Sequence, residues 1–453
     1  MARLLFAALA FLSVALRGAA ADPAPNFLLI LVDDQGWSGT SVPMLPGNAA
    51  TRTVDFRMPN LDRLAARGMV FSQAYAAHPK CECSRAALQM GRSTTTLNAT
   101  DKWARSWNAA VTESLVHVLK RANPSYRAAH FGKWQWPRPP AEFGYDESDG
   151  VTQNEDGTSR DPDDPKLTFS LSRRATGFME KQVEAGRPFF LQVSYYAPHS
   201  PPQALAATLR KYGAIPSPAA RSGGKGPRGG GAIMAAMSED LDTGMGALFR
   251  RLEELGIAQR TYVIYMSDNG MGSPLLKGGK ALVHEGGIRV PLIVAGPGIE
   301  GGVYSAAPVV GYDILPTVID LSVPGFPVPA GVEGGSWKSI LLNRGGGTVV
   351  RPINRLVWHH DVEVDHPQTA LREGDLKLVH LWDTRSSFLY DLSIDPGERN
   401  DLSTQRAADT GRLLAVLKAH VRSGLGERKF AALESGLVGH GGEKAKGKGK
   451  ASR

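Results

Sequence analysis

Asn26-Phe27-Leu28-Leu29-Ile30-Leu31-Val32-Asp33-Asp34-Gln35-Gly36-Trp37 opens as an unbroken apolar run and stops abruptly in two carboxylates. Continuous rather than alternating apolar residues fit a strand covered on both faces, as in a parallel sheet with helices on each side. Three more runs end in the same way. Tyr126 to Phe131 leads into Gly132-Lys133-Trp134, Phe189 to Tyr196 into Ala197-Pro198-His199, and Tyr262 to Met266 into Ser267-Asp268-Asn269-Gly270. In such sheets ligands sit beyond the carboxyl ends of the strands, so these polar residues are predicted to lie along one edge. Helix-like segments intervene at Pro59 to Arg67, Val111 to Arg121, Phe169 to Glu184 and Met234 to Leu255, the last stopping at Gly256. Strands alternating with helices make an α/β domain. The glycine-rich stretch Arg221 to Gly231 reads as a loop. From about Arg351 short strands follow at Asn354 to His359, Leu376 to Leu381 and Ser387 to Tyr390, with an amphipathic helix at Thr410 to Arg422. The expected architecture is a large mixed, mostly parallel sheet sandwiched by helices, with a smaller C-terminal sheet-plus-helix subdomain.

The chain has 453 residues and a globular composition, enough for one large core or two unequal domains. Arg3, an apolar run from Leu4 to Leu16, and Ala19-Ala20-Ala21 before Asp22 have the pattern of a secretory signal peptide over residues 1–21. That run is short for a bilayer span and ends at Arg17, and no later stretch looks transmembrane. A periplasmic or secreted protein without stable membrane insertion is therefore expected. Residues 22–345 are read as the main α/β domain, 346–435 as the C-terminal subdomain and 436–453 as a disordered basic tail. Part of the net charge of +8 sits in that tail, which argues against nucleic acid as a partner. The remaining excess suits an anionic substrate.

Both cysteines lie in Cys81-Glu82-Cys83-Ser84-Arg85. A disulfide across so short a ring is strained and removes almost no loop entropy, and two thiols without nearby histidine or cysteine partners make a poor metal site. The plain reading of a free cysteine is a small buried hydrophobe. Asp33 and Asp34 would point to opposite faces of a strand unless the chain turns there. With Asp268 and Asn269 they offer an all-oxygen donor set for a hard cation, Ca²⁺ or Mg²⁺. Taken singly, each pair has an ordinary explanation, since Asp-Asn-Gly is a common turn and acids after strands often cap helices. Trp37 and Trp134 read as core packing, and His359, His360 and His366 as loop or core histidines.

Residues 81–92, Cys-Glu-Cys-Ser-Arg-Ala-Ala-Leu-Gln-Met-Gly-Arg, resemble the Cys-x-Pro-Ser-Arg-x-x-x-Leu-Thr-Gly-Arg signature of the formylglycine-dependent (type I) sulfatases, arylsulfatase-like members of the alkaline phosphatase superfamily. Val32-Asp-Asp-Gln-Gly-Trp37 is similar to the amino-terminal metal segment of that family, and Ser267-Asp-Asn-Gly270 to its second. Gly132-Lys133-Trp134 resembles its Gly-Lys-Trp-His segment and Ala197-Pro-His199 its Pro-His segment. Gly278-Gly-Lys280 with Glu285-Gly-Gly-Ile-Arg-Val-Pro291 resembles its Glu-Gly-Gly-x-Arg-x-Pro stretch, and Tyr390-Asp-Leu392 with Asp395-Pro-Gly-Glu398 its carboxyl-terminal subdomain. These segments stand in family order and span nearly all of the mature chain.

The resemblance implies an alkaline-phosphatase-like fold and hydrolysis of a sulfate ester, on a sulfated glycan or an aryl sulfate. It implies that a formylglycine-generating enzyme oxidises Cys81 to formylglycine, the precursor of the nucleophile. It places a Ca²⁺ ion (Mg²⁺ being the other candidate) on Asp33, Asp34, Asp268 and Asn269, with Cys81 also touching it. Arg85, Lys133 and Lys280 fall on the cations that hold nucleophile and sulfate, and His199 on the histidine beside the leaving oxygen. Two positions depart from the pattern. Cys83 stands where proline is usual, and Gln135 replaces the histidine of Gly-Lys-Trp-His although glutamine has no usable basicity. His284 and His78 are candidate substitutes. The alternatives are a phosphodiesterase or phosphonate ester hydrolase of the same superfamily, and a weakened sulfatase-like protein that binds sulfated ligands. Pocket walls are expected from Asp146 to Lys166 and from Ser200 to Gly231.

Overall fold

The run after Asn26 forms a strand, β1 (Asn26–Val32), buried at every residue. A run without polar alternation can be satisfied only in this way, because both of its faces must be covered. The structure, a computed structural model, describes residues 23–97, 110–214, 230–362 and 364–436. The expected signal peptide, nearly all of the basic tail and most of the Arg221 to Gly231 loop lie outside the described residues. Further strands are β2 (Met69–Phe71), β3 (Ala74–Tyr75), β4 (Arg127–Gly132), β5 (Glu147–Ser148), β6 (Phe189–Ser194), β7 (Thr261–Ser267), β8 (Leu292–Ala295), β9 (Val303–Ser305) and β10 (Val309–Val310). The main sheet has eight strands in the order β5-β4-β6-β1-β7-β8-β2-β9. Its centre, from β4 through β6 and β1 to β7, is parallel. β8 runs antiparallel to both β7 and β2, which makes the sheet mixed. The side chains of β1 divide between the two covered faces: Phe27, Leu29 and Leu31 join one apolar cluster, and Leu28, Ile30 and Val32 the other.

Two of the expected helices differ clearly from the sequence pattern. The segment expected as one helix over Val111 to Arg121 is a 3-10 turn (Val111–Glu113) and an α-helix (Leu115–Ala122). Ser114 between them is extended and its Oγ donates to Phe143 O, so the chain is pinned where a continuous helix would have passed. The helix expected from Met234 begins at Gly230, inside the stretch read as a loop, so that Gly230, Gly231, Ala232 and Ile233 join it although glycine is a weak helix former.

The C-terminal strands β11 (Leu356–His360), β12 (Gln368–Glu373), β13 (Leu376–Leu381) and β14 (Ser387–Asp391) form an antiparallel meander. The helix Ala407–Leu425 packs Leu413, Leu417 and Val421 against it, a spacing of one turn per residue. The small sheet is tied to the main domain through a buried charge cluster. Lys377 on β13 lies 2.9 Å from both Glu285 and Glu398, while Tyr75 donates to Glu285 at 2.9 Å and Arg289 lies 3.3 Å from it. This cluster anchors the segment that starts at Lys280. Burial, with the Glu285 charge adding to it, pushes the Glu398 carboxyl up to about 7 although Lys377 pulls it down. The folded chain therefore holds this proton more tightly than the unfolded chain does, and the contribution is present at low pH and is lost as pH rises from about 4.5 to about 7. Thermal unfolding of wild type compared with Glu398→Gln across that range should show a downward slope with pH that the variant lacks. Parallel slopes would refute the assignment.

Candidate functional site

The polar ends of the four central strands meet at one edge. Asp34 adopts a left-handed backbone (φ 64°), so the chain turns directly after Val32 and both carboxylates serve one pocket rather than opposite faces. The turn is fixed from β7. Asp34 N donates to Asp268 Oδ1 at 3.1 Å, Gln35 N to Ser267 Oγ at 2.9 Å, and Asp268 N to Val32 O at 3.1 Å. At Gly132 (φ 98°) a Cβ would sit 2.0 Å from Ser194 O, so only glycine lets β4 close on β6 there and deliver Lys133.

Cys81 begins the α-helix Cys81–Met90, an element with no strong signal in the sequence, since its apolar positions are short and broken by charge. Arg85 follows one turn later on the same face. Its Nε and Nη2 donate to Asp268 Oδ2 at 2.9 and 2.7 Å, and its Nη1 donates to Lys133 O at 2.6 Å. Lys133, fully buried, donates to Asp33 Oδ2 at 2.5 Å. Lys280 donates to both oxygens of Asp34 at 2.6 and 2.7 Å. Burial opposes the Lys280 charge, yet Cys81, Asp34 and Asp33 together hold its ammonium above the usual lysine range. His199 Nδ1 lies 2.6 Å from Ser200 O; a carbonyl only accepts, so Nδ1 carries a proton and Nε2 faces Asp34 Oδ2 at 3.5 Å. Cys81 Sγ is buried, and burial pushes its thiol up to about 12 against the pull of Lys133. Both cysteines are free.

The donor set fits a hard cation. One donor atom each from Asp33, Cys81 and Asp268 lie within 4.8 Å of one another, as do those of Asp33, Asp34 and His199. Asp33 Oδ1 and Asn269 Oδ1 are buried and accept no hydrogen bond, although buried oxygens rarely stay unpaired. The Asn269 amide nitrogen donates to Asp34 Oδ1 at 2.8 Å, which leaves the amide oxygen free for another donor or a cation. All nine sequence-derived site residues thus converge on one pocket.

The substitute bases do not gain from the geometry. His78 spends both ring nitrogens on backbone, at Lys80 N and His359 O, and burial lowers it to about 4. Burial and Lys377 lower His284 to about 3. Gln135, left-handed at φ 62°, donates to Asn154 Oδ1 at 3.2 Å and leaves its own buried oxygen unpaired. Trp37 and Trp134 are buried beside the site, as packing residues would be.

One residue at the site carries no motif. Lys166 is buried, its Nζ has no hydrogen-bond partner, and its charge interacts with Asp33, Lys133 and Asp34. Lys166 ends the Asp146 to Lys166 segment expected as a pocket wall, but no motif gives it a role, and only the three-dimensional path of the chain reveals one.

A mixed sheet whose ligand groups stand beyond the carboxyl ends of its parallel strands, with a small antiparallel sheet following, is the alkaline-phosphatase-like architecture. The sulfatase family profile matches residues 25–322, and the profile of the N-sulphoglucosamine sulphohydrolase C-terminal region matches residues 279–423. The N-acetylgalactosamine-6-sulfatase of Canis lupus familiaris is 30% identical over 398 residues, covering 76% of this chain and 70% of the relative. Two solved structures share the fold. Ps i-CgsB, in complex with k-i-k-neocarrahexaose, has a TM-score of 0.70 at 24% identity, covering 88% of this chain and 92% of the other. The phosphonate monoester hydrolase of Agrobacterium radiobacter has a TM-score of 0.65 at 18% identity, covering 91% and 95%. The chain belongs to the sulfatase family and is a sulfatase hydrolase. Among the described residues no helix is long and apolar enough to cross a membrane.

Proposed function

We propose that this protein is a secreted sulfuric ester hydrolase that acts on a sulfated glycan, with Cys81 converted to formylglycine and Ca²⁺ held by Asp33, Asp34, Asp268 and Asn269. The observation that carries this reading is the pair of unpartnered buried oxygens, Asp33 Oδ1 and Asn269 Oδ1, in a pocket that also holds Cys81 at a helix start and three cationic side chains. The glycan class is supported by the relative's action on an N-acetylgalactosamine-6-sulfate group. When bound, the cation and the converted residue supply a polarised nucleophilic oxygen and Lewis-acid stabilisation of the sulfuryl group.

The side chains of this chain do the rest. Arg85, fixed by Asp268 and Lys133 O, orients the start of the helix at residue 81. Lys133 and Lys280 place fixed positive charge where negative charge grows on the sulfuryl oxygens, and the buried setting strengthens that interaction. The Nδ1–H contact with Ser200 O holds the ring in place, and the imidazolium form of His199 passes its Nε2 proton to the departing alcohol oxygen, leaving the neutral Nδ1–H ring. The fold shared with the phosphonate monoester hydrolase supports one rival reading, a hydrolase of phosphate or phosphonate esters. Steady-state kinetics on aryl sulfate and aryl phosphate esters separate the two. The proposal expects the larger kcat/KM on the sulfate ester, and the reverse order would replace it.

A further inference from the structure

Lys166 is the side chain of this pocket that the sulfatase motifs do not account for. It sits in a built position rather than on a loose surface turn. Lys166 and Leu167 are consecutive non-glycine residues in the left-handed region (φ 55° at each), a conformation that is unfavourable for side-chain-bearing residues and persists only where surrounding contacts impose it. Those contacts are on view. Gln203 Oε1 accepts from Lys166 N at 3.2 Å and from Ser159 N at 3.0 Å, while Gln203 Nε2 donates to Ser159 O at 3.0 Å, which clamps the turn to the segment that follows His199. Asp164 Oδ1 accepts from Phe169 N and Ser170 N at 2.7 and 3.1 Å and anchors the turn to the helix Thr168–Glu184.

The result is a buried ammonium that donates no hydrogen bond to any of the described residues. No hydrogen bond joins it to Asp33 Oδ1, a buried carboxylate oxygen that likewise accepts none, although the charges of Lys166 and Asp33 interact. The two groups are left open separately, as they would be if the oxygen served a cation and the ammonium an anion. Burial pulls the Lys166 ammonium down to about 8, with Asp33 and Asp34 raising it and Lys133 lowering it, so it is still mostly charged at neutral pH. We propose that Lys166 is a further anion-binding residue of this site, donating from Nζ to an oxygen of the sulfuryl group of the bound ester. The proposal rests on the sulfatase reading above, and it adds a cation outside the set that the family resemblance supplies.

The test uses the full chain in two forms. Inorganic sulfate is titrated by calorimetry, with calcium present, into protein that retains Cys81, and aryl sulfate kinetics are measured on converted enzyme. Lys166→Met should weaken sulfate binding about 10- to 100-fold, the range of a lost hydrogen bond to a charged group. It should raise KM and the inhibition constant of sulfate by a similar factor while changing kcat less, a split that a general loss of structure would not produce. Lys166→Arg should recover part of the affinity, and it carries the test if the methionine variant does not fold. Wild-type affinity and KM in Lys166→Met, with aryl sulfate turnover intact in the parent, would overturn this inference alone. A parent chain that neither binds sulfate nor turns over aryl sulfate would overturn the sulfatase reading and this inference together.

Discussion

Cys81→Ala is expected to remove sulfate-ester turnover by about 10⁴-fold or more, the scale of losing a nucleophile from a site whose other groups remain. The fold should survive the change. Cys81 is the first residue of its helix, and its Sγ makes one side-chain hydrogen bond, to Glu82 Oε2 at 3.3 Å. Losing one buried sulfur costs about 1 kcal/mol, against several for a large core truncation. Unfolding midpoints within a few degrees of wild type, together with lost turnover, separate a chemical role from a structural one. Peptide mass spectrometry of the wild type adds a second readout: the peptide containing residue 81 should carry the mass of the aldehyde or its hydrate rather than that of a thiol. A fully active enzyme with an unmodified Cys81 would end the proposal. Cys83, two residues further along the helix and also buried and free, should tolerate alanine with near-normal turnover once Cys81 is converted.

What could be read in the sequence follows from how much of each signal is local. The run from Phe27 to Val32 declares a doubly covered strand without help from the rest of the chain, and β4, β6 and β7 do the same. Their parallel pairing then brings Asp33, Lys133, His199 and Asp268 to one edge, which is why the site was legible along with the sheet. The strands that make the sheet mixed were not. β2, β8 and β9 are three or four residues long, too short to show a period, and their direction is set by pairing with distant segments. β12 was missed because Gln368, Thr369, Arg372 and Glu373 give it a polar surface in sequence, although its sheet and helix bury most of it. Lys166 ends a segment that the sequence marks as pocket wall, but its own role is not a local signal. Its place in the pocket depends on a clamp by Gln203 from a separate segment and on a backbone conformation that propensity argues against.

Arg85→Leu should destabilise the chain by about 3–5 kcal/mol when calcium is chelated, and by clearly less when calcium is present. The argument starts from charge balance. Arg85, Lys133 and Lys280 neutralise Asp268, Asp33 and Asp34 in a pocket where Arg85, Asp33 and Asp268 are almost wholly buried. Removing the guanidinium leaves Asp268 Oδ2 without its two hydrogen bonds and Asp33 without its second cation at 4.0 Å. A buried carboxylate stripped of its partner costs far more than the intact pair contributes, and that asymmetry sets the size of the effect. A divalent cation seated among Asp33, Asp34, Asp268 and Asn269 would compensate the same carboxylates from the other side, so the penalty should shrink as the site fills. Urea unfolding of wild type and Arg85→Leu, each with chelator and with excess calcium, measures the coupling directly. Lys280→Leu, whose side chain is a quarter exposed, should show the smaller version of this dependence because water can take over part of the solvation of Asp34. A penalty in Arg85→Leu that is the same with and without calcium would mean that these carboxylates do not hold the ion.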